Sequence, residues 1–344
     1  MTKTFFVGID VAAENFVASV VQAPDQLMLA PKSFVNDPAG VEEFAAWLQA
    51  NSISLETAVL CMEATGVYGE TLAYLLSAEG WWLAVQPPLE VKRAFYPSGH
   101  KNDRVDSRQI AEYAARFQDR LRRFAPKKAL LEQIKVLLNL REQYVRQKTT
   151  HKNGLRSIRR KFVRTRLAEQ MHRESIQQLE NNIQTIEAEI KHLMAQDPDL
   201  HINAGLLVTI PGVGLLLAAH TLVMMASLQA PLNPKAVAAY IGICPYEHIS
   251  GKSVKKKAKS RHFGPAQMRK LLHLGARSLR THHVEMDAYF ERKLAEGKSK
   301  SLILNNIGNK LVKIMCAVIR EQKPYIPNYR SLHPMKLKKH LTRS

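Results

Sequence analysis

The chain has 344 residues, and because 46% of them are hydrophobic it holds enough apolar material for a buried core, which excludes a disordered chain. Fifty Lys and Arg against 30 Asp and Glu give a net charge of +20, yet residues 1–100 hold only four basic residues against eleven acidic ones. The basic remainder predicts a nucleic-acid partner, the alternative being an ordinary solvated basic surface.

The three cysteines lie far apart and form no CxxC pair. This spacing excludes a disulfide framework and a cysteine-based zinc site, and it indicates a reducing compartment. The N-terminus lacks a signal-peptide layout, since its apolar run is short and meets Asp10. Residues 200–234 carry no charge and are long enough to span a membrane, but Pro211 and Gly212 interrupt them. We therefore expect a buried helix after a tight turn, and no membrane partner.

The first hundred residues alternate strand and helix patterns. Runs rich in β-branched and aromatic residues predict strands, and apolar residues at helical spacing predict helices. In chain order the prediction is strands at 4–11, 16–21 and 27–35, a helix at 37–50, a strand at 57–62, a helix at 67–78 and a strand at 81–86. This order is typical of a mixed α/β sheet.

The rest of the chain is predicted to be helical. After a helix at 103–117, residues 127–196 contain no proline and one glycine, and Ile and Leu recur over 176–193 at steps of three and four, as in a coiled coil. Long helices here would form an antiparallel hairpin or a dimer stalk. A compact helical domain follows, with a glycine turn at 210–214, a polar basic loop at 249–264, helices at 267–280 and 305–320, and a loose tail. The predicted segments are 1–124, 125–198, 199–330 and 331–344.

Four carboxylates are candidate metal ligands. Asp10 and Glu63 each end a predicted strand, so we expect them at the edge of the sheet. Asp103 and Asp106 lie three residues apart on a predicted helix and share a face. Carboxylates brought together repel one another unless a divalent cation neutralises them, and such cations support phosphoryl transfer. The alternative is structural: Asp10 would begin a turn, Asp103 would cap the helix, and the helix dipole would favour Asp106.

Two further motifs offer phosphate contacts. The turn at 210–214 precedes an apolar helix, and its glycines would let backbone N–H groups approach a phosphate, although a plain turn between core helices explains them equally well. The run 250–262 sets serines among lysines, where a serine would bind phosphate or act as a nucleophile; its composition alone favours a solvated loop, and no Walker A motif is present. The candidate nucleic-acid contacts are basic residues or turn glycines: Lys101, Arg104, Gly212, Gly214, Lys252, Lys255, Lys256, Lys257, Lys259 and Arg261.

Taken together, these motifs resemble the DEDD-type insertion-sequence transposases, a family that includes the pilin-gene-inverting recombinases. The resemblance covers nearly the whole chain and rests on the order of five motifs. They are GID at 8–10, EATGVYG at 63–69, KNDRVDSRQIAEY at 101–113, IPGVG at 210–214 and AAYIGICPYEHISGKS at 238–253.

The resemblance implies a RuvC-like (ribonuclease H-like) N-terminal domain whose four acids, Asp10, Glu63, Asp103 and Asp106, hold Mg²⁺ or Mn²⁺. It also implies a coiled-coil dimerisation segment and a helical C-terminal transposase domain with a serine nucleophile, which falls on Ser250. In the family that serine attacks a DNA phosphate, forms a covalent intermediate and completes a site with the acidic domain of another protomer. The implied function is strand cleavage and rejoining by a recombinase of a mobile element.

The partners implied by the resemblance are DNA, at element ends and target, and a structured guide (bridge) RNA. A homodimer or tetramer is expected, in the cytoplasm of a prokaryote and associated with the nucleoid. Three residues depart from the family pattern: Ser107, Leu217 and Lys256. Only Lys256 bears on the site, because glycine is frequent at its position in the loop that contains Ser250.

Other interpretations of the same residues remain open. One is a RuvC-like nuclease in which water attacks the phosphate and Ser250 is structural. Another is a non-enzymatic nucleic-acid-binding protein that uses only the coiled coil and the basic surface. An actin-like ATPase also places an aspartate after an early strand, but it needs a Gly- and Thr-rich phosphate turn that residues 11–15 do not supply.

Overall fold

The computed structural model describes residues 3–22, 26–64, 66–95, 103–227, 233–250, 254–260 and 264–327. The chain divides into two compact units, residues 1–126 and 127–344. The first unit contains strands β1 (Phe5–Val11), β2 (Asn15–Gln22), β3 (Gln26–Val35), β4 (Ala58–Glu63) and β5 (Leu83–Gln86), with helices α1 (Pro38–Ala50), α2 (Tyr68–Ala78), α3 (Pro88–Arg93) and α4 (Asp103–Arg116).

The five strands form one mixed sheet in the order β3-β2-β1-β4-β5. The first three pair antiparallel through short connections, whereas β4 and β5 continue the sheet parallel to β1 after a helical crossover each. The predicted mixed α/β sheet is therefore confirmed. It is consistent with the ribonuclease H-like sheet that the family resemblance implies.

Strand alternation gives this sheet two buried faces. On one face Ile9 and Leu60 belong to a buried cluster that includes Leu72 of α2. On the other face Phe6 belongs to a separate buried cluster with Ile110 of α4. The sheet is therefore the middle of three layers, with α1 and α2 on one side and α3 and α4 on the other.

The second unit is mainly helical. It contains α5 (Ala129–Arg159), α6 (Arg166–Gln196), α7 (Pro198–Val208), α8 (Leu215–Ser227), α9 (Pro234–Ile241), strands β6 (Pro245–Ser250) and β7 (Val254–Ser260), α10 (Ala266–His282), α11 (Val284–Ala295) and α12 (Lys300–Glu321). The buried helix expected after a tight turn is α8, and Ala218 and Ala219 within it are fully buried.

Helices α5 and α6 form an antiparallel hairpin within one chain, one of the two arrangements expected for this segment. Ion pairs between the helices include Arg141 with Glu187 at 2.7 Å and Lys152 with Glu180 at 3.1 Å. The base of the hairpin shares a single core with α7 to α12, in which Ile190 packs together with the C-terminal helices. The hairpin base and the C-terminal helices therefore belong to the same compact unit.

Helix α12 is the one described helix whose length and composition would allow it to cross a membrane. Its apolar stripe is occupied within the second unit, because Ile303, Ile307 and Leu311 are fully buried in the core. The pattern is that of the core helix of a folded domain.

The prediction of a polar loop over 249–264 is wrong for the described part of that segment. Strands β6 and β7 pair antiparallel, with Ser250 opposite Val254 and Pro245 opposite Ser260. Lysine-rich sequence has little preference for strands, so the paired partner strand rather than composition decides the conformation here. The tail at 331–344 lies outside the described residues.

Candidate active site

Two of the predicted acids lie at neighbouring strand ends. Strands β1 and β4 run parallel, and Ile9 is paired with Met62, so Asp10 and Glu63 are the next residues along the two strands. Since side chains alternate, both acids lie on the same face as Gly8 and the α4 layer. Both are half-buried. The sheet thus brings together two carboxylates that are 53 positions apart in the sequence.

Helix α4 covers this face at very close range. A Cβ atom added at Gly8 would overlap the carbonyl oxygen of Ser107 and the amide nitrogen of Ala111. Farther along the helix, Ala114 belongs to the same buried cluster as Phe6. The helix therefore runs antiparallel to β1, and its first turn points towards the strand ends that carry the two acids.

That first turn contains the other two predicted acids. Helix α4 begins at Asp103 and continues through Asp106, whose side chain is half-buried; the side chain of Asp103 lies outside the described set. The following residue, Ser107, is fully buried, and its Oγ lies 2.7 Å from the Oγ of Ser19 on β2. The departure from the family pattern at Ser107 thus forms a hydrogen bond that fixes the acidic turn over the sheet.

Cys61, two residues before Glu63 on β4, lies on the same face of the sheet. Burial raises the pKa of the Cys61 thiol to about 12, and the negative charge of Glu63 adds to that rise. On the helix, Arg108 pairs with Glu112 at 2.9 Å, so its cation is directed along α4. The Cys61 thiol therefore stays protonated at neutral pH, which makes it a poor nucleophile.

The donor chemistry of this edge suits a hard divalent cation, because carboxylate oxygens are the ligands that Mg²⁺ and Mn²⁺ prefer. Within the described part of the chain, no three His, Cys, Asp or Glu side chains lie close enough together to hold a metal ion. Asp10, Glu63 and the half-buried Asp106 therefore do not form such a group among the described residues, and the side chain of Asp103 lies outside the described set.

The glycine turn of the second unit has a packing role at one of its two glycines. Gly212 has a φ of 87°, and an added Cβ would overlap the carbonyl oxygen of Gly275 in α10. At Gly214 an added Cβ would meet no atom within 4 Å. Close packing between the turn and α10 therefore accounts for Gly212, whereas open space lies beside Gly214.

Ser250 is the last residue of β6, at the tip of the β6–β7 hairpin in the second unit. On the opposing strand Lys255 pairs with Ile249 and Lys256 with His248. The remaining predicted contacts Lys257 and Lys259 also lie in β7, and Arg104 lies in the first turn of α4, in each case with only the backbone described. Lys101, Lys252 and Arg261 lie outside the described residues.

The base of this hairpin is held by residues that the sequence did not single out. Arg269 of α10 donates to the carbonyl oxygens of Ile241, just before the hairpin, and Gly264, just after it. From α12, Asn305 donates to the carbonyl of Ile243 at 3.0 Å. No sequence signal marks Arg269 or Asn305, because both lie in ordinary amphipathic helices and their partners are distant backbone atoms.

Beside this base lies a cavity of about 650 Å³. Among the described residues no acidic side chain lines it, and the polar side chains that do are basic, hydroxyl or amide: Ser260, Arg269, Lys270, His273, Ser299, Ser301 and Asn305. The surface next to the serine hairpin is therefore suited to an anion such as a phosphate.

Two family models match the chain. One, described as "Transposase" and of the DEDD type of IS110, matches residues 7–162; the other, described as "Transposase IS116/IS110/IS902 family", matches residues 204–291. Between them they contain every one of the five residues predicted to be catalytic.

Two of the curated relatives match almost the full length of the chain, and a third matches two thirds of it. A pilin gene-inverting protein of Moraxella lacunata is 28% identical over 331 residues, covering 94% of this chain and 98% of the relative, and that of Moraxella bovis matches equally. The transposase for insertion sequence element IS1111A of Coxiella burnetii is 24% identical over 261 residues, 67% of this chain and 70% of that protein. Thermus thermophilus RuvC, in complex with a Holliday junction substrate, covers 35% of this chain and 99% of its own at 13% identity and a TM-score of 0.27.

The family predicted from the five motifs is confirmed, and so is the prediction of an enzyme that acts on DNA. This excludes the interpretation as a non-enzymatic nucleic-acid-binding protein. The chain is a transposase of the IS110 family, and it recombines DNA.

Proposed function

We propose that this transposase cleaves and rejoins DNA through a serine–DNA phosphodiester, with Ser250 as the nucleophile and Asp10, Glu63, Asp103 and Asp106 as the acids of the same site. One observation supports the assignment of the acids above all: Asp10 and Glu63 lie side by side on adjacent parallel strands, beneath the first turn of α4. The assignment of Ser250 rests on the family resemblance and on its position at the tip of a hairpin with a fixed base.

The four acids would hold Mg²⁺ or Mn²⁺. When bound, that cation would offset the negative charge of the scissile phosphate and of the oxygens that attack and leave it. The chain's own part is to fix the carboxylates in place, which Gly8 and the Ser19–Ser107 hydrogen bond do by setting α4 directly on the sheet.

The serine step conserves phosphodiester bonds. The hydroxyl of Ser250 loses its proton as Oγ attacks phosphorus, a bond from Oγ to phosphorus forms, and the bond from phosphorus to one sugar oxygen breaks. That sugar oxygen takes up a proton and leaves as a free strand end. Attack by a hydroxyl of another strand on the same phosphorus reverses these changes and releases the serine. No nucleotide cofactor is required, because the number of phosphodiester bonds is unchanged.

The acids belong to the first unit and Ser250 belongs to the second. We propose that the site is composite, with the serine of one protomer acting beside the acids of another, in a dimer or tetramer. We further propose that DNA at element ends and target is selected with a structured guide RNA. A stable RNA that copurifies with the protein and is encoded beside its gene would support the RNA partner, and full recombination by RNA-free protein would refute it.

The experiment that tests the serine uses DNA with a nick close to the cleavage position, so that the short released strand diffuses away and the covalent complex accumulates. The wild-type chain should give a denaturation-resistant protein–DNA band, and Ser250→Ala should give none while binding the same DNA. Ser278→Ala, in α10 of the same unit, is the matched control and should keep the band. An adduct that persists in Ser250→Ala, or cleavage without any adduct, would refute the serine and favour the water-using nuclease.

A further inference from the structure

The hairpin of α5 and α6 is a long arm whose outer half is not part of the core. Along α5 the last buried residue is Leu138, and along α6 the first is Leu179. Tyr144 is the last residue of α5 that packs against the core, so residues 145–159 extend about 22 Å beyond it, at about 1.5 Å per residue. In this outer half the helices still touch, since Gly154 makes room for the imidazole of His172.

The tip of this arm exposes large apolar side chains. In the connection between the helices, Phe162 is 104% exposed and Val163 is 78% exposed. Nearby on α6, Leu167 and Met171 are 64% and 60% exposed. Exposure of several large apolar side chains on one tip is a mark of an interaction surface, and a phenyl ring free on both faces is able to stack.

The same tip is strongly basic. Residues 156–166 contain six Lys and Arg and no Asp or Glu. One of the six, Arg159, pairs with Glu169 at 3.5 Å. Within the described part of the chain the other five form no salt bridge: Arg156, Arg160, Lys161, Arg164 and Arg166. The tip therefore carries a concentrated positive charge around an exposed aromatic ring.

We propose that the tip of the α5–α6 arm binds an unpaired strand of DNA, with a base stacked on Phe162 and the adjacent phosphates held by the surrounding cations. Stacking on aromatic side chains combined with a basic surface is how single strands are bound without sequence preference. A second copy of this tip is a poor partner, because two like-charged surfaces repel. DNA is the partner chosen because the enzyme recombines DNA, and strand exchange separates paired strands.

The inference goes beyond the proposed acid and serine chemistry. Binding is measured without cleavage, so single-strand binding at the tip does not depend on which group is the nucleophile. The result at the tip and the result at the serine are therefore independent.

The experiment measures fluorescence anisotropy of a labelled 20-nucleotide DNA strand, its duplex and an RNA of the same sequence, with the full-length protein and a chelator present. Phe162→Ala should weaken single-strand binding roughly tenfold or more and affect the duplex far less. Phe162→Tyr should restore binding, since it keeps the ring. Val284→Ala, which removes an 86% exposed apolar side chain elsewhere in the second unit, is the matched control and should have no effect.

A second measurement tests the cations. Substituting Arg160 and Arg164 together by Gln should reduce the salt dependence of single-strand binding, because each lost phosphate contact lowers the slope by about 0.7. Unchanged affinity in Phe162→Ala would overturn the proposal. So would a larger effect on RNA than on DNA, or a shift of the DNA-free protein to smaller assemblies in sedimentation, which would make the tip a contact between copies.

Discussion

Replacing Gly8 by Ala tests how tightly α4 must lie on the sheet. The added methyl group would overlap the carbonyl oxygen of Ser107 and the amide nitrogen of Ala111, and it would lie 2.9 Å from the Cα of Ala111. All three are backbone atoms, so no side-chain rotation relieves the overlap. To restore ordinary contact, α4 must lift from β1.

The expected cost follows from two effects. Forcing extra atoms into a packed interface costs about 1–3 kcal/mol, and rigid backbone neighbours place this site at the upper end. Lifting α4 also stretches the buried 2.7 Å contact between Ser19 and Ser107, and an unmade buried hydrogen bond costs roughly 1–3 kcal/mol. We expect a loss of about 3 kcal/mol or more, which lowers the unfolding midpoint of the first unit by roughly 10 °C.

Tryptophan fluorescence is suited to measuring this midpoint, because all three tryptophans, Trp47, Trp81 and Trp82, lie in the first unit. Tryptophan fluorescence during thermal unfolding therefore reports on that unit. Gly205→Ala in α7 is the control: an added Cβ there meets no atom within 4 Å, so the tryptophan transition should not move. A Gly8→Ala protein with the wild-type midpoint and full recombination would refute the reasoning about α4.

Three further predictions concern buried or positioning groups. Under native conditions at pH 8 a thiol reagent should label only the half-exposed Cys244; rapid labelling of Cys61, whose pKa burial raises to about 12, would contradict the described core. Burial, followed by the Arg141 cation, lowers the pKa of His220 to about 4, so between pH 6.5 and 4 the unfolded state takes up a proton that the folded state does not. The free energy of unfolding of the second unit should therefore fall by up to roughly 3 kcal/mol as the pH drops through that range. His220→Gln should flatten this pH dependence, and an unchanged slope in that variant would contradict the prediction. In Arg269→Lys the single ammonium group cannot bind both carbonyl oxygens at the hairpin base, so adduct formation should slow roughly tenfold at unchanged DNA affinity. An unchanged rate would show that Arg269 does not position Ser250.

The layout of the first unit followed from local patterns. Each strand and helix there has its own periodicity, and an acid that directly follows an apolar strand has to lie at the sheet edge. Asp10 and Glu63 do lie at the edge of the sheet, as this pattern predicts. It did not show that they are neighbours, since adjacency depends on the parallel pairing of β1 with β4, which is a long-range property.

Local sequence patterns predict less of the second unit. The β6–β7 hairpin was missed because its lysine-rich strand owes its conformation to its partner strand. Arg269 was missed because its partners are backbone carbonyls, which every residue carries. Similarly, the contact of Ser107 with Ser19 joins residues 88 positions apart, and no local pattern announces it.

The composite site is tested most directly by mixing two inactive variants. Asp10→Asn should lose strand cleavage by roughly a hundredfold or more, and Ser250→Ala should form no adduct. When the two proteins are mixed and allowed to exchange subunits, a covalent DNA adduct should appear, and only on the Asp10→Asn polypeptide, identified by a size tag. A mixture that stays inactive although the subunits exchange, or an adduct on the Ser250→Ala polypeptide, would contradict a site built from the acids of one protomer and the serine of another.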